Sequence, residues 1–124
     1  MQGMFLGPKS SSIIEKAKKL NPNSALVWKI YAGSKLFTPE MWGGDVKEAI
    51  KAFETAVKLY ESKPEALTDN WLYLDTLAFL GQAYVKDEQA KKAIVIYEKA
   101  LQAEPAFNYV KNSLLPKAKA KVIQ

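Results

Sequence analysis

The 124-residue sequence contains no cysteine, no histidine and no arginine. Without cysteine there is no disulfide, thiol nucleophile or thiolate metal ligand, and without histidine the commonest general base and zinc ligand is gone. The missing arginine removes the bidentate forks that read phosphates and guanine edges. All 18 basic residues are lysines, and nucleic acid is not an expected partner. No apolar run approaches the roughly 18 residues that a membrane-spanning helix requires. The opening "MQGMFLGPK" lacks basic residues ahead of a short apolar part, so a signal peptide is not expected there either.

What is present is ordinary for a globular chain. Hydrophobic residues make up 48% and charged residues 25%, enough for a single domain spanning 1–124 with its own core. Charge is uneven. Residues 1–37 hold six lysines and one glutamate, 38–107 hold eight lysines and twelve acids, and 108–124 hold four lysines and no acid. Solvated helix faces at the two ends account for this pattern; binding of nucleic acid or an anionic surface through the terminal lysines is the weaker alternative.

The most regular segment is "TLAFLGQAYVKDEQAKKAIVIYEKALQAEP", Thr76 to Pro105. Leu77, Leu80, Gly81 and Tyr84 fall at i, i+3, i+4 and i+7, a helical stripe, and Ala93, Tyr97, Ala100 and Leu101 form a second one. The polar "KDEQ" between them suits a tight turn, and Pro105 stops the second helix because it has no amide donor. Gly81, Ala93 and Ala100 are placed where two antiparallel helices would touch, with Leu77, Leu80, Tyr84, Ile94 and Tyr97 filling the space around them. Such a hairpin leaves one apolar face uncovered and needs a neighbour.

These residues resemble a tetratricopeptide repeat, whose pattern is W-x-x-L-G-x-x-Y, then A-x-x-x-F, A and P over roughly 34 residues. Leu77 takes the tryptophan position; Leu80, Gly81, Tyr84, Ala93, Tyr97, Ala100 and Pro105 follow in register. Upstream, Trp28, Tyr31 and Ala32 stand where Leu77, Leu80 and Gly81 stand, with Lys35 departing from the tyrosine position, and Ala49, Phe53 and Ala56 mirror Ala93, Tyr97 and Ala100. Ile14, Ala17 and Pro22 resemble the back half of a still earlier repeat, with Ser10, Ser11 or Ser12 as its helix cap. The resemblance implies an all-α, right-handed α-solenoid of antiparallel helix hairpins, with about two full repeats plus flanking helices. Its expected divisions are a trailing helix at 9–22, repeat one at 23–63, repeat two at 68–105 and a capping helix at 107–122, kinked or restarted at Pro116. A bacterial-looking repeat protein with further sequence before Met1 is the expected setting.

Two insertions break the repeat spacing. Ala32 to Ala49 spans 17 positions where Gly81 to Ala93 spans 12, and the surplus falls in "FTPEMWGGD", Phe37 to Asp45. Asp45 and Glu48 are placed to form a capping box, while Met41 and Trp42 are expected to fold back as a small satellite core. The second surplus, around "LYESKPEALTDNW", is expected to lengthen the flanking helices and add a loop at Pro64. In a stack of hairpins these insertions project from opposite rims, which argues against one shared active site.

Catalysis is not expected, and neither a cofactor nor a metal is. Glu48, Glu54, Glu61, Glu98 and Glu104 sit among lysines on helices and read as solvated surface. The resemblance instead implies protein–protein interaction, with the first helix of each pair lining a concave surface. Carried onto this chain, the outward positions are Leu26, Lys29, Gly33, Leu36 and Phe37, then Asp75, Ala78, Gln82 and Lys86, joined by Tyr109 and Asn112. The partner-binding residues expected are Lys29, Leu36, Phe37, Asp75, Gln82, Tyr109 and Asn112. One subgroup of the family grips a partner's terminal carboxylate, but here Gly33 replaces an asparagine and Ser113 a basic residue, so that use is not expected. Self-association through the Ile13–Leu20 helix is the alternative.

Overall fold

A computed structural model describes residues 8–63 and 70–123. Six α-helices follow one another: α1 (Pro8–Leu20), α2 (Ala25–Phe37), α3 (Val46–Glu61), α4 (Trp71–Lys86), α5 (Ala90–Ala103) and α6 (Leu115–Ile123), with no strand among the described residues. Each packs chiefly on its sequence neighbours, α2 on α3, α3 on α4 and α4 on α5, while α6 returns onto α5. The chain is an all-α solenoid in which no helix crosses back over an earlier one.

Local chemistry sets where the helices begin. Ser24, Asp45 and Asn70 each accept a hydrogen bond from the backbone N–H three residues on, at Val27, Glu48 and Tyr73. Each such cap contributes about 1 kcal/mol. α1 is helical from Pro8 onward among the described residues, so Ser10–Ser12 lie within the helix and not at a cap position.

The core is one contiguous cluster. Leu77, Ala32, Ala49, Phe53, Ala56, Ala93 and Ala100 are fully buried, and Tyr97, Leu80, Tyr84 and Tyr31 nearly so. Gly81 explains the closeness of α4 and α5: a Cβ there would lie 2.1 Å from Cε1 of Tyr97, so only glycine lets the buried ring pass. The helices flanking the second insertion are the longer ones. α3 and α4 have 16 residues each against 13 in α2 and 14 in α5. The loop expected at Pro64 lies outside the described residues.

Two local expectations need correction. Asp45 caps α3, but Glu48 does not close the box: the Asp45 amide donates to Lys35 O at 2.9 Å, and the Glu48 carboxylate accepts from Tyr31 instead. Pro116 does not begin a separate helix, because the backbone is already helical from Asn108. A π turn over Val110–Leu114, in which the Leu115 amide donates to Val110 O, carries the chain into α6. That wider turn relieves the crowding a proline ring imposes on the carbonyl four residues back.

Candidate functional site

The inner face of the stack is formed where α2 lies beside α4 and α4 beside the π turn. Asp75, Tyr109 and Asn112 are exposed and Gln82 is half-buried, its amide bonded to Ala78 O at 3.3 Å. The Lys29 ammonium sits 5.2 Å from the Phe79 ring centre. Phe37 meets the same ring edge-on at 5.6 Å, and Phe79 in turn stacks over the buried Phe53. Phe37 is 37% exposed and so presents part of its ring to the face; Leu36, by contrast, is 3% exposed and belongs to the core. Its placement in the groove is therefore corrected: one residue of helical rotation turns it inward, and Lys86 Nζ closes over it by bonding to its carbonyl at 3.2 Å.

Sequence reasoning missed one end of this face. A pocket of about 260 Å³ opens there between α4 and the C-terminal helix, with Val85, Tyr97, Leu114 and Ala118 as its apolar lining and Lys86, Lys117 and Lys121 around it. The i, i+4 spacing of Lys117 and Lys121 is the sequence signal for this pocket, and it is the same spacing that a solvated helix face shows.

The carboxylates of α3 also depart from expectation. Tyr31 on α2 donates to Glu48 at 3.0 Å, Tyr73 on α4 donates to Glu61 at 2.6 Å, and Tyr84 on α4 donates to Glu54. Glu61 also pairs with Lys99 of α5 at 2.6 Å. These glutamates hold helices together and are not simply solvated surface. Burial first, and then the bonded carboxylate, pushes the hydroxyls of Tyr73 and Tyr84 far above the usual tyrosine range. At Glu61 burial pushes the carboxyl up, but the Lys99 and Tyr73 hydrogen bonds outweigh it and the net shift is downward.

The inserted turn does not form a satellite core. Met41 is 82% and Trp42 59% exposed, because the short 3-10 segment Glu40–Trp42 is held from its backbone instead: Trp42, Gly43 and Gly44 amides bond to Pro39 and Glu40 carbonyls. Gly43 takes a φ of 100°, and a Cβ on Gly44 would lie 1.7 Å from Thr38 O. The turn needs both glycines for conformation and close approach, with no phosphate-loop geometry.

Among the described residues no group of three or more acidic, histidine or cysteine side chains could hold a metal ion, and no helix is long and apolar enough to cross a membrane. No curated protein matches the chain in sequence. Residues 74–107 do match the tetratricopeptide repeat family, whose members generally mediate protein–protein interaction and are typically non-catalytic. That match begins in the first turn of α4 and ends at Phe107, just past α5, so the α4–α5 hairpin is the part of the chain that matches one repeat of the family.

Proposed function

We propose that the chain binds an extended or helical segment of a partner protein along the inner face, as a non-catalytic interaction module. The observation that carries this reading is the mixed surface described above. Asp75, Tyr109 and Asn112 are exposed, Phe37 and Gln82 are part-exposed, and Gln82 lines an apolar pocket bordered by Lys86, Lys117 and Lys121. Apolar floor gives affinity and the ring of ammonium groups selects acidic residues flanking an apolar anchor. On this reading residues 23–63 and 68–105 act as the two full repeats, 9–22 as the trailing helix of a partial one and 107–122 as the cap, within one domain. A pull-down comparing the native chain with a Lys29→Ala/Asp75→Ala/Tyr109→Ala variant tests it. Partners lost from the variant support the groove; an unchanged set of partners removes it.

A second reading, self-association, has its own support. Ile13 and Leu20 of α1 are 61% and 79% exposed, and Ile30 of α2 is 51% exposed. Sedimentation over a range of concentrations checks it, and a monomer at every concentration excludes it.

A further inference from the structure

We propose that the pocket between α4 and the C-terminal helix receives a glutamate side chain of a partner segment, whose carboxylate accepts from the Tyr97 hydroxyl. The inference rests on the reading that this pocket meets a partner, and it names the group that enters. It comes from how the chain treats its other core tyrosines. Tyr31, Tyr73 and Tyr84 each donate to a glutamate of the neighbouring α3. Tyr97 is as deeply placed, 1% exposed, yet among the described residues its hydroxyl makes no hydrogen bond. α6, which packs on α5, has no carboxylate to give, because residues 108–124 hold four lysines and no acid.

The pocket lies where that acceptor is missing. Tyr97 is the residue that α5 contributes to its lining. The ring atoms nearest a Cβ at Gly81 are Cε1 and then Cζ, the carbon bearing the hydroxyl, and Gly81 adjoins Gln82 on the pocket wall. Burial pushes this hydroxyl well above the ordinary tyrosine range, so it keeps its proton and remains a donor. Val85, Leu114 and Ala118 give apolar walls suited to the short aliphatic stem of glutamate. Lys86 is already held by Leu36 O, but Lys117 and Lys121 make no salt bridge among the described residues and supply the counter-charge. The volume of about 260 Å³ far exceeds the roughly 30 Å³ share of one water, so a side chain has room. The same arrangement already exists inside the chain at Glu61, which accepts from Tyr73 and pairs with Lys99.

Amide chemical-shift titration with the capped tripeptide acetyl-Ala-Glu-Ala-amide tests this. Saturable shifts are expected at Gln82, Val85, Leu114 and Ala118, and the glutamine tripeptide is expected to bind several-fold more weakly because it carries no charge. Tyr97→Phe keeps the ring and is expected to weaken glutamate binding several-fold. Its unfolding midpoint is expected to stay level or rise, since no internal bond is lost; a clear fall overturns the proposal by showing that the hydroxyl already has an acceptor. Lys117→Met/Lys121→Met, which leaves Tyr97 in place, is expected to weaken binding by a similar factor. Undiminished binding in either variant, or no saturable shift in the native chain, overturns the proposal. So do equal shifts from inorganic phosphate with no response to the tripeptide, which assign the pocket to small anions. The groove reading fails separately. Partners lost from the Lys29→Ala/Asp75→Ala/Tyr109→Ala variant but retained by Tyr97→Phe leave the groove standing and remove the glutamate site; the reverse result removes the groove and supports the site.

Discussion

Gly81 and Tyr97 make the tight steric pair between α4 and α5. Because the Tyr97 ring is fully enclosed, it has nowhere to move when a methyl group arrives at 2.1 Å. Gly81→Ala is expected to destabilise by about 1–3 kcal/mol, read as a lower urea midpoint, although alanine is the better helix former. Tyr84→Phe tests the opposite kind of contact. It keeps the ring and deletes the donor to Glu54, costing about 1–2 kcal/mol because a half-buried carboxylate loses its partner. The small residues were legible in the sequence since close helix contact tolerates nothing else at that spacing. The tyrosine–glutamate bonds were not. Their partners lie 17, 12 and 30 residues apart, and which glutamate faces which ring depends on a register that helical periodicity alone does not fix.

Among the elements, the α4–α5 turn carries backbone strain. Glu88 adopts a φ of 61°, a left-handed conformation that costs a non-glycine residue roughly 1 kcal/mol. Glu88→Gly is expected to recover about that much in equilibrium unfolding. α3 sets the response to pH. Tyr73 and Tyr84 have raised values, so their contribution is complete below the ordinary tyrosine value of 10.0 and declines as pH climbs above it. Glu61 is shifted the other way; its contribution is complete above 4.5 and declines as pH falls through the depressed value. Thermal midpoints are expected to fall on both sides of that window, and Glu61→Gln is expected to flatten the acid side. Helix type and order were readable from apolar spacing and prolines. The exposed Trp42 was not, because a loop held by its own backbone amides needs no apolar anchor, and composition cannot reveal that. Nor was the π turn before Pro116, since a proline in a helical pattern signals an interruption without saying how the chain accommodates it.

At the scale of the molecule, a solenoid ordinarily gains stability repeat by repeat, each touching only the next. Removing residues 108–124 tests the far end: Val110, Leu114, Leu115 and Ala118 would leave α5, and a lower, broader thermal transition is expected. The middle behaves differently. One rod supplies every one of the three phenol acceptors, reaching backward to α2 through Glu48 and forward to α4 through Glu54 and Glu61. Loosening it would therefore release both hairpins together, so amide protons on both its flanks should exchange with solvent at one common slow rate. Two repeats that share a spine in this way lose the independence their modular ancestry would otherwise grant them.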